Sequence, residues 1–297
     1  MYLFLYKRIK TVSVYFVLIL ISFSVRAQTQ AEDIVKDNSD LDEVDFKLFS
    51  AFGHCDITST SSNSLSVIYG DYDDGRIGYE IKNQTLYHTK KVELDIKGKK
   101  PSAFSFFNAS EVAHSDWNIY LSKNKNLNLD LTFGHGDADI QLSGMHLKNL
   151  HILNSKADVN LSYKLGQANP IEMDSVILDV KSGHLKFDHI EMAKAHVVDV
   201  SVDFGEVEID FEHKTFHKME VNAHVNGGKF IVHLPKGDVP VLIKFNQAEF
   251  STIHIPEGYV KTKEGYYKSS SYKSGVKNPI IFNLDLTIGS TVDLLVL

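Results

Sequence analysis

Fourteen histidines and 38 acidic residues give this chain of 297 residues material for metal or acid–base chemistry, and their spacing decides how much of it is usable. His213 and His217 stand four apart, and His184 and His189 could flank a corner. No His-Glu-x-x-His pattern occurs, however, and the single Cys55 adds no partner for a zinc site. These histidines are therefore expected to stand singly on a polar strand face, with no metal or cofactor. Carboxylates recur in alternation, as Asp137 and Asp139 and as Glu206, Glu208 and Asp210. On a strand, alternation sends each set to one face, where it could bind or cleave polysaccharide as glycosidase carboxylates do. Water relieves the repulsion among such groups, so a solvated face with no catalytic role is the plainer expectation.

Other motifs fail on inspection. No Gly-x-Ser-x-Gly nucleophile elbow exists, and Gly134-His135-Gly136 lacks the third glycine of a phosphate loop. Asp71-Tyr72-Asp73-Asp74-Gly75 has its third carboxylate one position early for a calcium loop, and Lys82 stands where a bidentate Glu is required; it reads as a polar turn. Alternation around Cys55 makes it an inward-facing apolar residue rather than a reactive thiol. The most distinctive chemistry lies between residues 256 and 279. There Tyr259, Lys261, Lys263, Tyr266, Tyr267, Lys268, Tyr272, Lys273 and Lys277 make a basic, aromatic patch. Tyrosines stack on sugars and lysines pair with anions, so the patch is a candidate contact for a glycan or partner; equally, its tyrosines could cover one end of a core.

The elements that would position these groups are strands. From 127 to 255 a small residue followed by polar-apolar-polar-apolar recurs: Ala138 to Leu142, Ala157 to Leu161, Gly183 to Phe187, Gly205 to Ile209 and Gly228 to Val232, broken only at Ile231. Seven positions before each small residue stand Leu131, Leu150, Val176, Val198 and Val221. Five before stand Phe133, Ile152, Leu178, Val200 and Ala223. Period-two alternation that keeps its phase over copies 19 to 26 residues apart predicts stacked rungs of a β-solenoid with one face in and one out. Ala248 to Thr252 and Ser290 to Leu294 fit more loosely. An antiparallel β-sandwich is the alternative, with hairpin turns at Gly134-His135-Gly136 and Asn226-Gly227-Gly228.

The termini bound the setting. Lys7, Arg8 and Lys10, an apolar run over 12–23 and Val25-Arg26-Ala27 have the three-part grammar of a secretory signal peptide at 1–27, an uncleaved anchor being the alternative. Its removal takes four basic residues and no acid, which carries the formal charge from −7 to −11 and argues against nucleic acid. Residues 28–45 are expected as an acidic disordered leader. Residues 46–126 form an N-terminal β region whose last part, 99–126, is an irregular covering segment. The repeat solenoid at 127–297 continues it.

Leu127-Asn128-Leu129-Asp130-Leu131 running to Gly136, then Asp137 to Gly144, Leu147 and Leu150, resembles the toastrack family of adhesin-like proteins, related to the C-terminal domain of LiaF-like envelope-stress proteins. Val221 to Val241 is similar to a penultimate rung of that family, and Gly265 to Val292 to its closing rung with a Tyr- and Ser-bearing loop. The resemblance implies an all-β, right-handed, single-stranded β-solenoid at the cell envelope, exported to the periplasm or surface and facing an envelope protein or a glycan. It carries no functional residues. An adhesin-like or scaffolding, non-enzymatic role leads; a polysaccharide-acting enzyme or an envelope-stress sensory partner of a membrane protein are the alternatives.

Overall fold

The computed structural model describes residues 28–37, 41–62, 64–99, 113–235 and 239–296. The expected signal peptide at 1–27 lies outside them. Among the described residues, every element but one 3-10 turn is a strand. In the first part these are β1 (Gln28–Lys36), β2 (Glu43–Thr60), β3 (Ser64–Asp73), β4 (Ile77–Leu86), β5 (Thr89–Gly98) and β6 (Ser115–Ser122). Then come β7 (Asn126–Gln141), β8 (His146–Asn154), β9 (Asp158–Ser162), β10 (Met173–Val180), β11 (His184–Asp188), β12 (Ala195–Val202), β13 (Glu206–Asp210), β14 (Met219–Val225) and β15 (Lys229–Leu234). The last are β16 (Val241–Gln247), β17 (Thr252–His254), β18 (Val260–Lys261), β19 (Tyr267–Lys268), β20 (Ile280–Leu286) and β21 (Thr291–Val296).

Each rung is a pair of strands joined by a tight corner, and rungs stack in parallel. One face runs β5, β2, β7, β8, β10, β12, β14, β20, β16. The other runs β6, β2, β7, β9, β11, β13, β15, β21, β17, with β2 and β7 long enough to turn the corner and serve both. This parallel pairing excludes the sandwich, in which successive strands would run antiparallel. Alternation puts one ladder of apolar residues inside each face. Leu48, Leu131, Ile152, Leu178, Val200, Ala223 and Leu284 face Ile57, Ile140, Leu161, Phe187, Ile209, Val232 and Leu294, and all are buried. Each large aliphatic member contributes about 1.5–3 kcal/mol by leaving water.

The recurring small residue has a steric cause. A β-carbon on Gly205 would stand 2.4 Å from the Gly183 carbonyl oxygen, which accepts a hydrogen bond from the Glu206 N–H at 3.0 Å. One rung's corner backbone thus rests on the next with no room for a side chain. The same column identifies the true first member. Gly136, not Ala138, is equivalent to Ala157, because Asp137 pairs with Asp158 and Ala138 with Val159. The first copy of the repeat is therefore displaced by two residues from the expected alignment. A shift of two preserves which side chains point inward, so alternation could not reveal it. Copies two to five pair as expected, Leu150 with Val176, Val198 and Val221 in turn. Around Ala248 the frame also shifts, since Thr252, not Glu249, pairs with Thr291.

Three further expectations are corrected. Gln28–Lys36, expected within a disordered leader, forms an edge strand antiparallel to β3; Ala31 and Val35 are buried on it and supply the apolar contacts that its acids conceal. Ser115–Ser122, expected in an irregular covering segment, is a regular strand between β2 and β3. Its Trp117 is fully buried, stacked on Tyr72 at 5.5 Å between centroids and tilted against Tyr79 at 5.2 Å; residues 100–112 of the same segment lie outside the described residues. Finally, the last rung in sequence is not last in space. β20 and β21 lie between the β14–β15 rung and the β16–β17 rung, so the chain leaves a place, builds beyond it and returns to fill it.

Candidate functional site

In-register stacking turns the outward residues into continuous rows. On the first face, one row is Glu93, Lys47, Asp130, His151, Ile177, Asp199, Asn222, Asn283 and Lys244. Neighbours on either side of the apolar Ile177 bond to each other. Lys47 Nζ lies 3.1 Å from Asp130, and His151 bridges Asp130 and Asp179 at 3.1 and 3.3 Å. Asn222 donates to Asp199 at 2.8 Å, and Asn283 to Asn222 at 2.8 Å. On the second face a row runs Tyr69, Asn118, Asp56, Asp139, Asn160, Lys186 and Glu208, beside another of Tyr120, Thr58, Gln141, Ser162, Asp188, Asp210 and His233. Each face carries a depression, about 320 Å³ around Asp199 and His224 on the first and about 680 Å³ around Asp56, Asp139 and Asn160 on the second.

Histidines stand in these rows beside carboxylates, mostly of a neighbouring rung: His224 with Asp285 at 2.9 Å, His254 with Asp293 at 2.5 Å, and His54 with Asp137 and, at 3.2 Å, Asp56. Partial burial lowers the His54 pKa, but hydrogen bonds to Asp137 and Asp56 outweigh it and the balance is upward. The pairs singled out by spacing do not act together. His213 lies 3.7 Å from Glu191 while His217 stacks on His196 at 4.2 Å; His184 faces Glu206 at 3.8 Å while His189 faces Glu212 at 3.2 Å. Among the described residues, two sets gather one imidazole and two carboxylates, His54 with Asp56 and Asp139, and His233 with Glu208 and Asp210. In the second, Lys186 Nζ already stands 3.4 Å from Glu208 and 3.7 Å from Asp210. The expected outward carboxylates Glu206, Glu208 and Asp210 thus stand beside basic groups of neighbouring rungs, and partial burial, with a hydrogen bond to Asp188, holds the Asp210 carboxyl above its ordinary range.

Two buried groups complete the electrostatics. Cys55 is fully buried and burial pushes its thiol up to about 12, as its inward position required; a thiol so desolvated is a poor nucleophile. Glu191, in the 3-10 turn Ile190–Ala193, is also fully buried. Burial holds its carboxyl above the ordinary range, only partly offset by backbone N–H groups of Glu212 and His213.

The basic, aromatic insertion folds as a hairpin over the end of the first face. β19 lies antiparallel on β16, and β18 on β19. Tyr267 stacks on Phe245 at 6.0 Å with Lys261 Nζ 5.8 Å from its centroid, and Lys244 Nζ is 5.9 Å from the Tyr266 ring. Tyr259 packs against the core, where burial pushes its hydroxyl up to about 12. Lys268 pairs in register with Leu242, Tyr272 is half-buried in a turn closed by its N–H on the Ser269 carbonyl at 3.1 Å, and Lys263 and Lys273 are exposed. The tyrosines of the patch therefore split between covering the core and facing outward. The second-face depression was not foreseen, because it joins residues from five strands whose register single-sequence reading does not fix.

The sequence model for the N-terminal domain of toast_rack, DUF2154, matches residues 24–183, more than half of the chain. The chain belongs to the toastrack family. Its solenoid-like parallel sheet is the toastrack arrangement. Solved structures similar to this toastrack chain include a candidate cell adhesion protein from Clostridium sporogenes ATCC 15579, at 18% identity, covering 91% of this chain and 100% of that one with a TM-score of 0.45. Candidate adhesins from Bacteroides fragilis NCTC 9343 and Parabacteroides distasonis ATCC 8503 are each 12% identical, covering 91% of this chain and 97% and 98% of theirs, with TM-scores of 0.35 and 0.41. Comparison with curated proteins gives no match. Among the described residues, no helix is long and apolar enough to cross a membrane.

Proposed function

We propose that this toastrack protein is an exported, non-enzymatic component of the cell envelope whose solenoid is an adhesin-like or scaffolding surface. The observation that carries this reading is the continuity of the outer rows. Side chains on both faces are held in register over many rungs by cross-rung hydrogen bonds and ion pairs, which suits extended contact with a repetitive partner better than enclosure of a small one. The three-part pattern at 1–27 supports export to the periplasm or surface. The hairpin bearing Tyr259, Lys261, Lys263, Tyr266, Tyr267, Lys268, Tyr272 and Lys273 serves first as a lid on the solenoid end. Its exposed lysines offer a secondary contact for an anionic envelope polymer.

Beads coated with the purified protein test the reading directly. Retention under flow on surfaces bearing isolated envelope glycan or envelope protein, above that of albumin-coated beads, is expected. Retention no greater than albumin on every such surface would overturn it.

A further inference from the structure

The second-face depression has a more specific chemistry than the surface around it. Asp56, Asp139, Asn160, Gln141 and Lys186 line it, and Tyr120 stands at one end. Asn160 donates to one Asp139 oxygen at 3.0 Å and so fixes the carboxylate's orientation, while Gln141 donates to Ser162 at 3.1 Å. Tyr120 meets Tyr69 edge to face at 6.0 Å, which holds both rings upright as an aromatic step half open to solvent. Carboxylates that accept, a lysine that donates, amides and hydroxyls that do both, and an aromatic edge are together the groups that recognise vicinal hydroxyls and the apolar face of a sugar.

Two features narrow the ligand. The polar groups repeat with the rungs, about 4.8 Å apart, so the matching ligand is itself extended and periodic. Asp56, Asp139 and Asp188 line the depression with Lys186, which Asp188 engages at 3.3 Å, while His54 stands 3.2 Å from Asp56; three carboxylates thus outnumber one lysine and one imidazole. This excess of negative charge disfavours a polyanion. We propose that the depression binds one strand of an uncharged polysaccharide lying along the solenoid axis, about one sugar to each rung, with its first sugar on Tyr120. The proposal rests on the reading of the outer faces as contact surfaces and adds which face and which polymer class.

Affinity electrophoresis of the full chain through gels containing xyloglucan, laminarin, mannan or polygalacturonate tests it. Retardation by at least one of the three uncharged polymers is expected, weakened at least tenfold by Tyr120→Ala and by Asp139→Asn and unchanged by Asp199→Asn on the other face. All three side chains point outward, and circular dichroism of each variant checks the fold. Retardation by polygalacturonate alone, by no polymer, or equally in the Tyr120 and Asp139 variants would overturn the proposal. If beads of the Tyr120 and Asp139 variants still adhere to envelope surfaces, only the groove assignment falls and the adhesive reading stands.

Discussion

The carbonyl oxygen of Gly183 lies 2.4 Å from the point where a β-carbon on Gly205 would stand. Adding that methyl forces apart two rungs that share a corner hydrogen bond, so Gly205→Ala should destabilise the protein by about 1–3 kcal/mol. Gly78→Ala, whose β-carbon would meet only the flexible side chain of Lys99 at 3.3 Å, should unfold near the wild-type urea midpoint. Equal midpoints for the two variants would contradict the close corner stacking.

Inward and outward positions differ just as sharply. Val200 is 3% exposed in the inner ladder, and Ser201 is its outward neighbour on β12. Val200→Asp should abolish cooperative unfolding by burying an unpaired charge, while Ser201→Asp should fold normally by circular dichroism.

Deletion of residues 280–297 should be far more damaging than deletion of 28–36. The first removes a rung with neighbours on both sides and leaves β16 and β17 without parallel partners, whereas the second removes an edge strand paired only with β3. Soluble yield and thermal unfolding of the two truncations measure this. A stable protein lacking 280–297 would argue against the interposed rung.

Glu191 sets a pH dependence. Its folded pKa is raised by burial, so the folded state binds the proton more tightly than the unfolded chain. Its stabilising contribution is complete below the ordinary value of 4.5 and is lost as pH rises through the higher folded value. Wild type should therefore lose this contribution as pH rises above 4.5, and Glu191→Gln should lose less over the same rise, as urea midpoints will register.

Much of this architecture is legible in the sequence because it depends on period-two alternation. The inner residues Leu150, Val176, Val198 and Val221 stand out as apolar positions at constant distance from a small residue, and a solenoid follows. The misplaced first copy shows the limit: Gly136 and Ala138 are both small and two apart, and only the carbonyl packing of the corner distinguishes them. The position of β20 between β14 and β16 is equally silent, since any rung with the right apolar ladder can pair with any other. At the candidate site, the insertion's tyrosines and lysines were conspicuous by composition. Asp139 stood out only through its alternation with Asp137, and Asp56 and Asn160 not at all, because their meeting depends on pairings between strands distant in sequence.

If, as proposed, the outward carboxylates belong to a contact surface, the protein holds polymer without cleaving it. Incubating the protein with the same polysaccharides and assaying new reducing ends tests it most directly. Retention of polymer with no product is expected; reducing ends that accumulate with time and disappear in Glu208→Gln would contradict it.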